Sequence, residues 1–250
     1  MNYVFNGNGD KTIVFVHGLS DSLEYWRKLS SRLKDEYKIL MYDIRGHGSS
    51  PLGDEAFTAD MLADDLYKLL LSLNINKASF VGLSLGGNIV LSFAIRYPEL
   101  VARIVVMSSF SENDDNLRAK FLEFADSIAI SYETFYDVII RYVIPDDVYE
   151  RNREVLECVK RQNALKANTE AIKYGIDMGM NFNVTRQLAS IKCPALILAG
   201  RDDDIISLGL SEILNDNIGN SELIIFDDTK HDLLIGKNIP KILELLRQFL

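Results

Sequence analysis

Short apolar runs alternate with stretches of helical spacing through the first part of the chain. Thr12-Ile13-Val14-Phe15-Val16 is apolar at almost every position and predicts a strand over 12–16. Leu23, Trp26, Leu29 and Leu33 then recur at helical spacing and predict a helix over 23–33. The same alternation continues with a strand over 37–42, a helix over 59–73, a strand over 78–81, a helix over 88–97 closed by Pro98, and a strand over 101–107. Strands apolar at successive positions need cover on both faces, and the intervening helices provide it. The expectation is an α/β fold built on a mostly parallel sheet.

The rhythm breaks between about 110 and 188. No buried strand is evident there, and the segment reads as several helices rich in aromatics, Phe121, Phe124, Tyr132, Phe135, Tyr136 and Tyr142 among them. The strand theme resumes at 194–199 and 222–226, and a last helix is expected over 239–250. This divides the chain into an α/β core, 1–109 with 189–250, and a helical insertion over 110–188. No internal repeat or low-complexity tract interrupts it.

Composition narrows the function classes. The 250 residues are 48% hydrophobic and 25% charged, ordinary for a globular chain with a sizeable core. The formal net charge of -9 argues against binding a nucleic-acid backbone, which needs clustered Lys and Arg. Two cysteines, Cys158 and Cys193, make no disulfide framework or metal-ligand spacing, and both are expected to be reduced packing residues. No basic leader or long apolar run opens the chain, so no membrane span is expected and a cytoplasmic location is the default.

The chemistry gathers on loops that follow strands. Gly82-Leu83-Ser84-Leu85-Gly86 matches G-x-S-x-G. A strand runs directly into it and a helix directly out. That context puts Ser84 on a tight turn, with the free N–H groups and positive end of the helix beside it. A serine nucleophile needs a base. Of three histidines, His17, His47 and His231, the last lies after the final strand, where it can serve. The motif resembles that of the α/β-hydrolases, whose triads run serine, acid, histidine along the chain, which implies an acid between Ser84 and His231 at the end of a core strand. Asp202, Asp203 and Asp204 occupy that place; Asp203 is preferred, with its two neighbours and Glu112 as alternatives. The Leu19 and Leu85 N–H groups are candidates for an oxyanion hole. His17 reads as a structural buttress of the His17-Gly18 turn, and the Asp43–Ser50 loop as a structural turn. No metal site or cofactor is indicated.

These motifs together resemble the α/β-hydrolase superfamily over nearly the whole chain: the His17-Gly18 turn, the Asp43-Ile44-Arg45-Gly46-His47-Gly48-Ser49-Ser50 loop, the Ser84 motif, the Gly200–Asp203 loop and His231. Within it the chain looks like the small lidded carboxylesterases and enol-lactonases. The resemblance implies an eight-stranded, mostly parallel sheet with a helical lid inserted after the sixth strand. It also implies a carboxylic ester hydrolase acting through an acyl-enzyme on a small-molecule substrate. A lactonase, a C–C bond hydrolase and a cofactor-free haloperoxidase share that triad, and some relatives with intact triads act as slow-turnover receptors or stress-response regulators. The chain departs from the family at two places: Lys230 stands where Gly often precedes the histidine, and Asp232 where C–C hydrolases carry Trp.

Overall fold

The computed structural model describes residues 1–250. Seven strands form one sheet: β1 (Tyr3–Asn6), β2 (Thr12–Val16), β3 (Lys38–Tyr42), β4 (Ala78–Leu83), β5 (Val101–Met107), β6 (Ala195–Gly200) and β7 (Ser221–Phe226). Their order across the sheet is β1-β3-β2-β4-β5-β6-β7. Only β1 runs antiparallel, against β3, and the other neighbouring pairs are parallel.

Two expectations are corrected here. The sheet has seven strands, not eight, and the long helical segment follows the fifth strand, not the sixth. Both corrections have one cause. Strand β1 is the edge of the sheet, with no strand paired outside it, so each later strand stands one place lower than expected. Strand β1, Tyr3-Val4-Phe5-Asn6, is a short and largely exposed edge.

The sheet is covered on both faces. Along β2, Ile13 and Phe15 join one buried cluster, and Val14 and Val16 join the other. Alternate side chains of a strand point to opposite faces, so a run apolar at every position becomes two cores. On one face, Trp26 packs against Phe15 with ring centroids 5.0 Å apart. The expected helix over 23–33 is a 3-10 turn at Leu23–Trp26 followed by the short α1 (Arg27–Ser30), with Leu23, Trp26, Leu29 and Leu33 buried. On the other face lie α2 (Ala59–Ser72) and α3 (Leu85–Arg96).

Between β5 and β6 come α4 (Asp115–Ile130), α5 (Tyr132–Val143), α6 (Asp146–Arg151), α7 (Arg153–Ala164) and α8 (Thr169–Asn181). Side-chain caps from Asp114, Ser131 and Asn168 start α4, α5 and α8. Phe121, Phe124 and Phe135 of α4 and α5 join the larger sheet cluster, whereas α6 and α7 bury no residue. Cys158 lies on α7 and is exposed, so it packs nothing; Cys193 is partly buried against the core. Helix α9 (Leu208–Asn217), which the pattern does not suggest, links β6 to β7, and α10 (Ile239–Phe249) closes the chain. No helix is long and apolar enough to cross a membrane.

Candidate active site

Ser84 stands between β4 and α3 with φ 53° and ψ −120°, a region that non-glycine residues rarely enter. Such a backbone costs on the order of 1–3 kcal/mol and persists only where its surroundings hold it. Here they do. The Ser84 N–H donates to the Met107 carbonyl at 2.9 Å, and the Ser109 hydroxyl donates to the Ser84 carbonyl at 2.8 Å. The turn is also very tight: a Cβ at Gly86 would collide with the Val16 and His17 carbonyls.

Ser84 is the N-cap of α3, yet its side chain makes no capping bond. Thr58, Asp114, Ser131 and Asn168, at comparable positions, all cap with their side chains. The unusual φ turns the hydroxyl away from that ordinary role and leaves it free.

His231 Nδ1 hydrogen-bonds Asp203 Oδ2 at 2.8 Å, and both residues are buried. Asp203 Oδ1 accepts from the Ile205 and Ile206 N–H groups, each at 2.9 Å. Its carboxylate is thus pinned at both oxygens. Asp202 and Asp204, its neighbours, are exposed, and Glu112 makes no hydrogen bond to His231. Burial disfavours the charged imidazole of His231, but the adjacent Asp203 carboxylate, with help from Asp232, outweighs it. The net effect holds its pKa above the ordinary value.

The loop around His231 is tied down on several sides. The Ser108 hydroxyl donates to the His231 carbonyl at 2.8 Å, and the Asp232 N–H donates to the Val143 carbonyl at 3.1 Å. Lys230 donates to the Arg141 carbonyl at 2.8 Å and to Asp146 at 3.0 Å, so it links this loop to α5 and α6. Asp232 accepts from the Tyr25 hydroxyl at 2.6 Å. The two departures from the family pattern therefore act as fastenings of the histidine loop.

His17 is used differently. Its Nε2 accepts from the Ile44 N–H at 3.0 Å, and its Nδ1–H donates to the Gly18 carbonyl at 2.8 Å. Burial and the nearby His47 lower its pKa to about 3. Asp43 accepts from the Leu23 and Ser49 N–H groups, each at 2.8 Å, and from the Asn2 amide at 2.7 Å. Both residues serve as internal ties of their loops. The Gly18 position lies 3.6 Å, measured from an ideal Cβ, from the Ser84 Cβ, which brings the turn carrying Leu19 alongside the serine.

Ser84, His231, Leu19 and Leu85 all line one small cavity of about 30 Å³. In this closed arrangement no hydrogen bond joins Ser84 to His231; they share its wall. Its apolar lining includes Phe110, Phe121, Phe124, Ile139, Ile205 and Ile206. Gly175 of α8 lets that helix lie directly on Leu19 and Leu85, because a Cβ there would strike both side chains. Asn88 also lines the cavity. No sequence motif marks it, although it is the one amide on the otherwise apolar first turns of α3, a full turn beyond Ser84. No group of three or more His, Cys, Asp or Glu side chains is placed to hold a metal ion.

A parallel sheet clothed in helices, with a strained serine between a central strand and its helix and a buried His–Asp pair nearby, defines a recognisable class. The family model described as alpha/beta hydrolase fold matches residues 11–137. A provisionally named carbamate hydrolase of Serratia proteamaculans is 31% identical over 85% of this chain and 80% of its own length. A 3-oxoadipate enol-lactonase of Acinetobacter baylyi is 28% identical over 86% of this chain and 80% of its own length. Among solved structures, the enol-lactonase from Burkholderia xenovorans superposes with a TM-score of 0.90 at 21% identity, covering 99% of this chain and 95% of that one. The chain belongs to the α/β-hydrolase fold family and is a hydrolase of that family.

Proposed function

We propose that the protein cleaves a carboxylic ester or lactone through an acyl-enzyme, with Ser84 as nucleophile, His231 as general base and acid, and Asp203 as the group that orients His231. The observation that carries this reading is the shared cavity: an uncapped, strained Ser84 and a His231 anchored by Asp203 line the same small space.

The steps follow from ordinary acid–base chemistry. Ser84 Oγ adds to the substrate carbonyl as its proton passes to His231 Nε2. The Leu19 and Leu85 N–H groups hold the resulting oxyanion. The tetrahedral centre collapses, the C–O bond breaks, and His231 returns the proton to the departing alkoxide. Water then gives a proton to His231 and attacks the acyl carbon; the second tetrahedral centre collapses, the bond to Ser84 Oγ breaks, and His231 returns the proton to Ser84 Oγ as the carboxylic acid leaves. Asp203 holds the imidazole in the Nδ1–H tautomer throughout. In a lactone the leaving alcohol stays attached to the acyl chain, and the steps are the same.

Residues 110–188 act as a lid on a core formed by 1–109 and 189–250. The cavity is narrow, and a shift of α4, α5 or α8 would widen it for an ester. The apolar lining favours an apolar acyl or alcohol portion. The lactone reading draws on the enol-lactonase relative.

A fluorophosphonate probe tests the nucleophile: the wild-type protein labels and Ser84→Ala does not. Labelling of the alanine variant would overturn the assignment. A panel of p-nitrophenyl esters of graded acyl length, run beside simple lactones, then separates the two substrate classes. Failure on both classes by a protein that labels would favour a slow-turnover receptor.

A further inference from the structure

One residue lining the cavity carries a polar atom that acyl transfer leaves unused. Asn88 is 1% exposed and lines the cavity with Ser84 and His231. Its Nδ2 donates to the Phe110 carbonyl at 2.8 Å and lies 3.4 Å from the Ser109 hydroxyl. Its Oδ1 is buried and has no hydrogen-bond partner in the protein. The orientation of the amide is not arbitrary. The Phe110 carbonyl can only accept, so reversing the amide would set two acceptors against each other. The free end is therefore the oxygen, an acceptor.

A buried amide oxygen without a partner destabilises the fold. Anchoring Phe110 does not require it, since the Nδ2 does that alone. An apolar side chain of similar size would fit the surroundings of Phe110, Phe121 and Phe124 without leaving an acceptor unmatched. Asn88 follows Ser84 by one helical turn: its own N–H donates to the Ser84 carbonyl at 3.2 Å. One turn rises about 5–6 Å.

We propose that Asn88 Oδ1 is a specificity element that accepts a hydrogen bond from the substrate, and that the natural substrate carries a hydroxyl or amide N–H at a fixed spacing from the carbonyl that Ser84 attacks. The chemical class is a hydroxyacyl or acylamino ester or lactone, otherwise apolar. This rests on Ser84 being the nucleophile. A site that hydrogen-bonds a substrate donor discriminates strongly against an analogue lacking it, because the acceptor is then left buried and unmatched.

The test uses matched p-nitrophenyl esters: hydroxyacyl against methoxyacyl, and N-acetylaminoacyl against its N-methyl analogue, with the donor stepped outward along the acyl chain. Methylation removes the donor and keeps the heavy atom that bore it. In the wild-type protein one chain length should favour the donor form in kcat/KM by about tenfold or more. In Asn88→Leu the ratio should fall to about one. The ratio separates the proposal from general damage, since loss of the Phe110 tie lowers both members of a pair alike. Asn88→Ala provides the same measurement should the leucine variant fold poorly. Pairs that are not turned over are compared as competitors of fluorophosphonate labelling. A wild-type ratio near one at every chain length, or a preference that survives in both variants, overturns the proposal. Absence of labelling in the wild-type protein would instead overturn the Ser84 assignment, and the role of Asn88 with it.

Discussion

His17 and His231 are both buried histidines on loops that follow sheet strands, yet their surroundings push them in opposite directions. Both ring nitrogens of His17 are engaged by backbone, the Ile44 N–H and the Gly18 carbonyl. Protonating Nε2 would set a proton against an N–H donor, and burial and His47 hold the pKa down near 3. His231 has one nitrogen held by a buried carboxylate and makes no protein hydrogen bond through the other. Its pKa lies above the ordinary value, with Asp203 overcoming burial. A histidine can transfer a proton only where one nitrogen is left unoccupied and the charged ring has a stabilising partner. The first loop uses its histidine as a brace and the second keeps one available.

The largest effect that would sharpen this contrast is expected from Asp203→Asn. It should lower kcat on the best ester by about 10⁴-fold, because an amide beside Nδ1 favours the wrong tautomer. Thermal unfolding should move little. A drop of only a few fold would mean that another acid orients His231. His17→Ala should do the reverse. It leaves the Ile44 N–H unpaired and opens a cavity, for a loss of about 2–4 kcal/mol in denaturant unfolding. Activity of the folded fraction should stay within about tenfold. If His17→Ala abolished kcat without loss of stability, the brace assignment would be wrong.

The pH dependences should also part. As the proposed general base, His231 would act in its neutral form, so kcat/KM should rise with pH through a midpoint above the ordinary histidine value of 6.5. Removing the Asp203 charge should move that midpoint to lower pH. The stability contribution of the His231–Asp203 pair has the opposite sign: it is fully present below the unfolded pKa of 6.5 and lost as pH rises through the higher folded pKa. His17 has a lowered folded pKa, so its contribution is present above pH 6.5 and lost as pH falls toward about 3. That acid loss should amount to a few kcal/mol, since each tenfold change in proton affinity is worth about 1.4 kcal/mol. His17→Gln should reduce it in unfolding curves measured across this range. The smallest effect belongs to Glu112→Gln. This acid is partly exposed and has no bond to His231, so kcat should change by less than about twofold.

Much of this was legible in the chain itself. Ile13 to Val16 could be read as a strand buried on both faces because each residue is apolar. Leu62, Leu66, Leu69 and Leu70 marked α2 because they recur along one helical face. The elements that escaped were β1, apolar at three positions but only four residues long and exposed, and α9, a short helix of mixed character. Ser84 stood out because its glycines and the flanking apolar strand form a local pattern. Asn88 did not, because an amide on a helix has no meaning until its oxygen is found without a partner.

By itself the sequence determined the alternation of strands and helices, the place of the helical segment between two strand runs, and the serine turn with a histidine after the last strand. These depend on period, composition and chain order, which are properties of near neighbours. Only the tertiary structure decided which of three successive aspartates meets His231, 28 residues away. It alone decided that Gly175 brings α8 down on Leu19 and Leu85, and that the amide oxygen of Asn88, a cavity-lining residue, remains unmatched. Asp202, Asp203 and Asp204 have the same chemistry. They differ in where the backbone aims each carboxylate, and a contact between distant parts of a chain exists only once the sheet has brought its loops together.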